Sequence, residues 1–349
     1  MQQVVLTRPG SFALEQTDAP RLSQLPQSPQ SNDDTALVRV SRVGVCGTDL
    51  HAFAGTQPFV EYPRILGHEL GVVVEQAPAN DRNIAAGDRC AVEPYLNCGR
   101  CIACRRGRTN CCQNLKVLGV HVDGGMRQFI ALPVNKLHKS DTLSLDQLAL
   151  IETLGIGHHA VDRANLAPDD SVLVIGAGPI GLGVIQFVTD TGCRPAVMDV
   201  NEQRLARCRE WFGLTNLLSP AAGDVTPALR KACGGDLPTV VFDATGNAPS
   251  MMNTIHLVSP GAKIVFVGLL AADLTFADAD LHRLEITLLA SRNSTADTFG
   301  RIIRLIEAGR VDTSPWITHR MQLAQVPRDF AQTAKQADLV KAMINVDDG

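Results

Sequence analysis

Aromatic side chains are scarce in this chain of 349 residues: they make up 4% of it, with two tryptophans and two tyrosines. A protein that stacks bases on an aromatic platform is therefore not expected. An excess of one charge is also missing, because 32 basic and 36 acidic side chains give a net charge of -4 without a basic block. Both features argue against nucleic-acid binding, including binding through zinc fingers.

Long apolar runs are missing as well. No run reaches the roughly 18 residues that span a bilayer, so no membrane segment is predicted. Residues 1–12 lack an apolar signal core and predict a strand followed by a turn. We therefore expect a cytoplasmic protein, whose thiols stay reduced. The segment 18–35 is rich in Pro, Gln, Ser and Asn and is interpreted as an exposed loop.

Cysteine, in contrast, is abundant and clustered, with ten residues of which seven lie between Cys46 and Cys112. In a reducing compartment such clustering favours metal binding over disulfides. Four of them have short spacings: Cys98, Cys101, Cys104 and Cys112. One loop of this kind can wrap a tetrahedral zinc, and because four thiolates leave no open position, the predicted site is structural. Cys111 is the alternative to Cys112 as fourth ligand.

A second group of candidate metal ligands is dispersed. It comprises Cys46 in VGVCGTDLH (43–51), His68 and Glu69 in GHE (67–69), and Glu152 in IETLG (151–155). Three protein ligands and an open position are typical of a catalytic zinc. Spacing alone does not establish such a site, because a single buried histidine is more often a satisfied core residue than a ligand.

The two halves of the chain predict different architectures. In the first half, residues 37–45 alternate apolar and polar side chains, which favours a strand, and turn residues are frequent, which predicts a β-rich, barrel-like domain. The run SVLVIGAG (171–178) is wholly apolar up to its glycines, as in a strand buried on both faces. Further apolar strands then alternate with helical segments up to the helix predicted at 296–309. This alternation predicts a parallel sheet with helices on both faces.

A glycine-rich turn follows the first buried strand and opens a helix. The candidate cofactor residues in it are Gly176, Gly178, Pro179, Ile180 and Gly181. In a dinucleotide-binding fold the glycines allow a tight turn, an approach of the backbone to the pyrophosphate, and close packing of helix on strand. Asp199 ends the second strand, where a carboxylate binds the ribose hydroxyls and favours NAD over NADP. Arg204, in the next helix, is added to the predicted cofactor site.

The motifs occur in the order CGTDxH (46–51), GHE (67–69), the four-cysteine loop (98–112), GAGPIG (176–181) and VMD (197–199). Together they resemble the zinc-dependent medium-chain alcohol dehydrogenases over essentially the whole chain. The resemblance implies an α/β fold, with a doubly wound Rossmann sheet and a β-rich, GroES-like catalytic domain. It places both zinc sites in residues 1–155, the NAD-binding domain in 156–293, the completion of the catalytic domain in 294–349, and the active site in a cleft between the domains.

The resemblance also implies roles for the dispersed residues. Cys46 and His68 resemble ligands of the catalytic zinc, and Asp49 resembles the carboxylate that orients the histidine. Glu152 stands where the family has a third ligand, commonly Cys but Glu in the polyol and sugar branches. In those branches the carboxylate of GHE can bind the metal instead, so Glu69 and Glu152 both remain candidates.

The reaction that the resemblance implies is hydride transfer from a zinc-activated alcohol to a nicotinamide. Thr48 resembles the hydroxyl that takes the substrate proton, and His51 the outer end of that relay. Gly47 stands where the family often has a basic residue for the pyrophosphate, so phosphate binding would depend mainly on the 176–181 loop.

The segment YPRILGHELG (62–71), together with Glu152, resembles the polyol, sugar-acid and threonine dehydrogenase branch. We expect oxidation of a hexonate or a related sugar acid, then of a plain polyol; L-threonine or a simple alcohol is the alternative. Arg127, Arg292 and Asn293 are candidate substrate residues, since an arginine can grip a carboxylate with two hydrogen bonds. A structural ion pair is an equally good interpretation of each arginine.

Two rival functions are a zinc-free reductase of the same superfamily and a non-catalytic NAD-binding protein. The candidate ligands argue against the first, and the candidate relay residues against the second. The apolar strand ITLLAS (286–291) is a candidate sheet edge that pairs across a two-fold axis. We expect a homodimer or homotetramer that contains two zinc ions and one NAD per chain.

Overall fold

The computed structural model describes residues 1–22 and 34–347. Most of the predicted loop 18–35 therefore lies outside the described residues. The chain divides into two compact units, the first comprising Met1–Glu152 and Thr295–Gly349 and the second comprising Thr153–Ser294. The boundaries implied by the resemblance, 155/156 and 293/294, fall within a few residues of these divisions.

The strands of the described residues are short in the second unit and longer in the first. They are β1 (Gln2–Arg8), β2 (Ser11–Gln16), β3 (Thr35–Gly44), β4 (Glu69–Gln76), β5 (Arg89–Val92), β6 (Tyr95–Leu96), β7 (Lys116–Val117), β8 (Phe129–Pro133), β9 (Leu137–Lys139), β10 (Val172–Ile175), β11 (Ala196–Met198), β12 (Leu217–Leu218), β13 (Val240–Asp243), β14 (Lys263–Phe266), β15 (Thr287–Ala290), β16 (Ile317–Gln322) and β17 (Lys341–Asn345).

The α-helices lie mostly in the second half of the chain. They are α1 (Gly47–Ala54), α2 (Ile102–Arg105), α3 (Leu145–Ala164), α4 (Pro179–Asp190), α5 (Glu202–Phe212), α6 (Thr226–Ala232), α7 (Ala248–Asn253), α8 (Asp278–Leu284), α9 (Ala296–Glu307) and α10 (Val326–Thr333). Among the described residues, none of these helices combines the length and the apolar character needed to cross a bilayer.

The first unit is built on a seven-stranded sheet in the order β16-β17-β3-β4-β5-β9, with β8 also paired to β3. β3 is central because it pairs antiparallel with β4, β8 and β17. Its alternating apolar residues face the core, as the sequence predicts, with Val38 and Val40 fully buried. The pairing of β3 with β17 brings a segment near the end of the chain beside the segment that follows β3, since Val45 N–H donates to the Ala342 carbonyl at 2.9 Å.

The second unit contains a six-stranded parallel sheet in the order β12-β11-β10-β13-β14-β15. The strand order reverses between β10 and β13, and ligands of doubly wound sheets bind beyond the carboxyl ends of the strands at such a reversal. β10 and β13 are buried along their whole length, which agrees with the apolar residues of β10 and of 240–242 in β13; Asp243, the last residue of β13, is buried as well. The predicted parallel α/β sheet is therefore confirmed.

Two helices differ from what the sequence predicts. The long helix α3, which carries Glu152, was not predicted. Its residues 148–155 are buried without interruption, so the sequence shows no polar stripe with helical periodicity. The sequence also predicts a helix over APSMMNTIHLVSPG (248–261), but α7 ends at Asn253 and continues as a single 3-10 turn over Thr254–His256.

Candidate metal and cofactor sites

The four closely spaced cysteines converge in the segment between β6 and β7. Their sulfur atoms all lie within 4.8 Å of one another. Sγ of Cys101 is 3.5 Å from Sγ of Cys104 and 3.9 Å from Sγ of Cys112. Cys111 is exposed and lies outside this group. The structure thus places Cys98, Cys101, Cys104 and Cys112 together.

Backbone N–H groups in this loop donate hydrogen bonds to the cysteine sulfurs and favour the thiolate form of Cys98. The N–H groups of Cys98 and Asn114 donate to Sγ of Cys112 at 3.2 and 3.4 Å. The N–H groups of Arg100 and Cys101 lower the pKa of the Cys98 thiol to about 6, whereas burial and the neighbouring sulfurs raise the pKa of Cys104 to about 12. A thiolate is the form that binds metal. The four sulfurs therefore fit a tetrahedral zinc with no open position.

The dispersed ligands also come together. One ligand atom each from Cys46, His68 and Glu69 lies within 4.8 Å of the others. Cys46 precedes α1 and follows the end of β3, while Glu69 begins β4. Because Gly44 is paired with Glu69 across the β3–β4 ladder, two motifs more than twenty residues apart meet at one end of the sheet.

Asp49 connects the two ligand-bearing segments. Its carboxylate is fully buried and accepts hydrogen bonds from Cys46 N–H at 2.8 Å and from Gly67 N–H at 3.3 Å. Burial raises the pKa of Asp49, although nearby His68 opposes that rise. Nδ1 of His68 lies 3.8 Å from the carboxylate and has no hydrogen-bond partner among the described residues. This spacing is longer than a hydrogen bond, so Asp49 faces the histidine but does not bond to it here.

Lys341, at the start of β17, belongs to this centre but was not predicted from the sequence. Its Nζ donates to both carboxylate oxygens of Glu69, at 2.6 and 2.7 Å, and to the Val45 carbonyl at 3.2 Å. Burial alone would lower the pKa of Lys341, but the Glu69 carboxylate and the Cys46 sulfur raise it. The one signal in the sequence is a lysine that opens an otherwise apolar run, KAMI (341–344).

Glu152 approaches the same centre from α3. Burial raises its pKa, while His68 and the hydroxyl of Tyr95, which donates to Oε1 of Glu152, act in the opposite direction. Glu152 is not among the residues whose ligand atoms lie within 4.8 Å of one another. The choice between Glu69 and Glu152 as third ligand stays a prediction, because Glu69 is in the group but is held by Lys341.

Negative charge is concentrated at this centre. Three fully or almost fully buried carboxylates, of Asp49, Glu69 and Glu152, lie close to the Cys46 thiol. Burial disfavours a charged His68, yet Cys46 and Asp49 raise its pKa well above the usual value. Buried charges need a counter-charge. A divalent cation with nitrogen, sulfur and oxygen ligands would add its positive charge to that of the Lys341 ammonium, so the residues fit a zinc ion.

Thr48 and His51 lie three residues apart on α1, and such residues share one face of a helix. Thr48 is half-buried next to Cys46, whereas His51 is exposed and has its Nδ1 3.0 Å from Oγ1 of Thr56. The structure records no hydrogen bond between Thr48 and His51, so their relay stays a prediction.

The glycine-rich turn has the geometry of an anion-binding helix start. Gly178 caps α4, no side chain occupies the cap, and Pro179 is in the first turn. A Cβ on Gly181 would overlap the Gly176 carbonyl oxygen, so the helix packs directly on the strand. A Cβ on Gly178 would meet nothing closer than Nη1 of Arg204 at 3.8 Å. The open face beside unpaired N–H groups fits a dinucleotide pyrophosphate.

Asp199 supports this turn from the end of β11. Its carboxylate accepts hydrogen bonds from Ala177 N–H at 2.7 Å and from Asn201 N–H at 2.8 Å. Nη1 of Arg204 lies 3.7 Å from Oδ2 of Asp199, and 44% of the arginine side chain is exposed. Ile180 is half-buried in the first turn of α4. A carboxylate and a guanidinium are therefore both present beside the turn.

The candidate substrate residues lie in different units. Arg127 belongs to the first unit and donates to the Asp123 carbonyl at 3.4 Å. Its Nε is buried and has no hydrogen-bond partner among the described residues, and burial lowers the pKa of the guanidinium. Arg292 and Asn293 belong to the second unit. Arg292 is exposed, and Asn293 has a left-handed backbone (φ 53°) and a buried amide nitrogen without a partner. Their contact with substrate stays a prediction.

Comparison with known proteins places this chain among dehydrogenases. Residues 32–142 match the alcohol dehydrogenase GroES-like domain, and residues 179–308 match the zinc-binding dehydrogenase domain. The chain is 39% identical to the L-galactonate-5-dehydrogenase of Escherichia coli K12, over 90% of this chain and 93% of that protein. It is 30% identical to the L-idonate 5-dehydrogenase of Vitis vinifera, over 88% of this chain and 87% of that protein.

Solved structures agree on the fold. The rspB alcohol dehydrogenase of E. coli CFT073, solved in complex with NADH, superposes with a TM-score of 0.89 at 25% identity and covers 99% of both chains. The two domain matches and this superposition confirm the predicted combination of a GroES-like domain with a Rossmann sheet.

The cysteine loop gives a first prediction. Replacing Cys112 by serine removes one of the four converging sulfurs, and we expect the purified protein to lose about one zinc per chain because structural sites of this kind use four ligands. Cys111→Ser, one residue earlier but outside the group, is the matched control and should keep the wild-type zinc content. Elemental analysis of both variants makes the measurement. Equal loss in both, or in neither, would contradict the assignment of Cys112.

Lys341 gives a second prediction. Lys341→Met leaves the Glu69 carboxylate buried without its ammonium partner, and such a loss costs about 3–5 kcal/mol of unfolding free energy. We expect this deficit in urea unfolding of chelator-treated protein, and a smaller deficit with zinc present, because the metal provides the missing positive charge. Lys335→Met, at an exposed lysine, is the control and should have little effect. A deficit that zinc does not reduce would contradict the proposed charge balance.

Proposed function

Because the chain belongs to the zinc-dependent medium-chain alcohol dehydrogenase family, we propose that it oxidises a secondary alcohol of a sugar acid or a polyol to the ketone, with NAD as hydride acceptor. The observation that carries this proposal is the convergence of Cys46, His68 and Glu69 beside buried Glu152. The similarity to proteins named for L-galactonate and L-idonate oxidation supports the hexonate class.

We propose two zinc ions per chain, one in the four-cysteine loop and one held by Cys46, His68 and either Glu69 or Glu152. A zinc ion at the second position supplies Lewis acidity, which lowers the pKa of a substrate hydroxyl. Asp49 fixes the positions of the Cys46 and Gly67 backbones and so orients the ligands.

Thr48 and His51 are proposed to carry the substrate proton. Thr48 lies two residues after Cys46, and its hydroxyl accepts the proton and passes one on. His51 lies one helical turn further along α1 and is exposed, so it can release the proton to water.

NAD is the proposed cofactor because Asp199 lies where a carboxylate binds the ribose hydroxyls and repels a 2′-phosphate. Arg204 beside it provides positive charge, which an NADP-dependent protein would use for that phosphate. The carboxylate is fixed by two backbone N–H groups, whereas much of the arginine side chain is exposed. We therefore give Asp199 the greater weight.

A homodimer or homotetramer is proposed from the edge of the second unit's sheet. β15 is the terminal strand, and its residues Thr287, Leu288 and Ala290 are exposed, with Leu288 at 44%. An apolar edge strand with unpaired backbone groups favours pairing with another chain. The occupant we propose is β15 of a second copy.

Leu288→Lys tests this assembly, because a lysine on an edge strand opposes edge-to-edge pairing. In sedimentation experiments at micromolar concentration the wild type should be a dimer or tetramer, and the variant should shift toward the monomer. Leu269→Lys, at an exposed leucine outside the strands, is the control and should sediment as the wild type does. A monomeric wild type would contradict the proposal.

The reaction is tested by following nicotinamide reduction with hexonates, neutral polyols, L-threonine and simple alcohols, each with NAD and with NADP. We expect hexonates to give the highest kcat/KM, roughly tenfold or more above neutral polyols, because charge-assisted hydrogen bonds to a carboxylate are strong. NAD should be preferred over NADP.

Three outcomes would count against parts of this proposal. Preference for neutral polyols would overturn the sugar-acid class and leave the zinc-dependent reaction standing. Preference for L-threonine or a simple alcohol would overturn both substrate classes. Failure of zinc-loaded protein to reduce either nicotinamide with any alcohol would overturn the enzymatic function.

A further inference from the structure

A pocket of about 330 Å³ lies in the first unit, between the segment after α1 and the segment around β7. Its lining combines hydrogen-bond donors with an aromatic face, and consists of Phe59, Glu61, Arg64, Asn114, Leu115, Lys116 and His121. None of these is a candidate metal ligand, and only Arg64 lies in one of the sequence motifs, YPRILGHELG (62–71).

Both walls of the pocket adjoin the segment that leads to the candidate ligand His68. The wall formed by 59–64 follows α1 and continues into 65–67. The wall formed by 114–121 packs on the same segment, because a Cβ on Gly119 would lie 2.8 Å from the Gly67 nitrogen. The next residue after Gly67 is His68.

Arg64 presents an incompletely satisfied guanidinium to the pocket. Its side chain is 15% exposed, and Nη1 lies 3.2 Å from Oδ1 of Asp123. Nε is buried and has no hydrogen-bond partner among the described residues. Asp123 also accepts from Ile65 N–H at 3.1 Å with the same oxygen, so this carboxylate is shared. The guanidinium is therefore only partly paired, and its other N–H groups can donate to a bound anion.

His121 is oriented as a donor. Its Nδ1 accepts a hydrogen bond from Val117 N–H at 3.1 Å, which in the neutral ring places the proton on Nε2. The ring stacks on Phe59, with the centroids 6.0 Å apart and the planes at 25°. Phe59 is 56% exposed and offers an apolar face beside these donors. Such a face suits the C–H side of a sugar chain.

We propose that this pocket binds the carboxylate of a sugar-acid substrate, with Arg64, Lys116 and His121 as donors and Phe59 against the carbon chain. The inference deepens the proposed function and depends on it. Among the lining residues Arg64 and Lys116 are cationic and Glu61 is acidic, while Asp123 pairs with Arg64 from outside the lining. An anion would therefore be held by directed, charge-assisted hydrogen bonds from these donors and not by an excess of positive charge. The exposed carboxylate of Glu61 is available to accept hydrogen bonds from substrate hydroxyls.

The size of a hexonate agrees with this placement. Oxidation at C5 leaves four carbon–carbon bonds between the reacting carbon and the carboxylate carbon, a span on the order of 5 Å for bonds of about 1.5 Å. A substrate whose alcohol lies at the metal centre therefore places its acid group only a short distance beyond the ligands. A pocket whose walls adjoin Gly67, the residue before His68, agrees with that requirement.

The test compares L-galactonate with galactitol, which has CH₂OH in place of the carboxylate. Arg64→Met and Lys116→Met are the variants, and Arg82→Met, at an exposed arginine that lines a different groove of the first unit, is the control. The loss of a charge-assisted hydrogen bond predicts that KM for L-galactonate rises roughly 10- to 100-fold in Arg64→Met and by a smaller factor in Lys116→Met. KM for galactitol, kcat and zinc content should stay at wild-type values.

Each result separates the inference from the proposed function. An unchanged KM for L-galactonate in both variants, with a wild type that oxidises it, overturns the pocket assignment alone. A parallel fall of kcat and zinc content in Arg64→Met, with Lys116→Met unchanged, assigns Arg64 to support of the metal centre and also overturns it. A wild type that oxidises neither compound overturns the proposed function, and the inference with it.

Discussion

The hydrogen bonds of one buried carboxylate hold the catalytic centre together. Asp49 accepts from Cys46 N–H and from Gly67 N–H, so it joins the end of β3 to the start of β4 while its oxygen faces His68. The β3–β4 ladder brings the two ligand motifs together, and Asp49 fixes the loop residues beyond the ends of those strands. The spacing of the metal ligands depends on both.

Charge is the second constraint on the centre. The buried acidic groups would repel one another without a cation. Lys341 provides part of the required positive charge by donating to both carboxylate oxygens of Glu69. The same contact bears on the third metal ligand. A Glu69 that remains with Lys341 leaves Glu152 for the metal or its water, whereas a Glu69 that turns to the metal must give up hydrogen bonds of 2.6 and 2.7 Å.

The sequence predicted the parallel sheet, the glycine turn and the converging cysteines, because each follows from local patterns of spacing and burial. It did not reveal Lys341, whose partner Glu69 is 272 residues away and becomes a neighbour only when β17 pairs with β3. Tyr95 was missed for the same reason, since Glu152 lies 57 residues further on in a helix without visible periodicity. The pocket of Arg64 and His121 depends on tertiary packing that no motif encodes.

The position of β17 has a consequence for the order of folding. Its strand supplies Lys341 to a centre whose other residues precede the whole of the second unit. Contacts between residues so far apart in the chain form slowly, because a long loop must close before they are gained. During synthesis Cys46, His68 and Glu69 emerge long before Lys341, so the buried ion pair between Lys341 and Glu69 can form only after the chain has been made through β17.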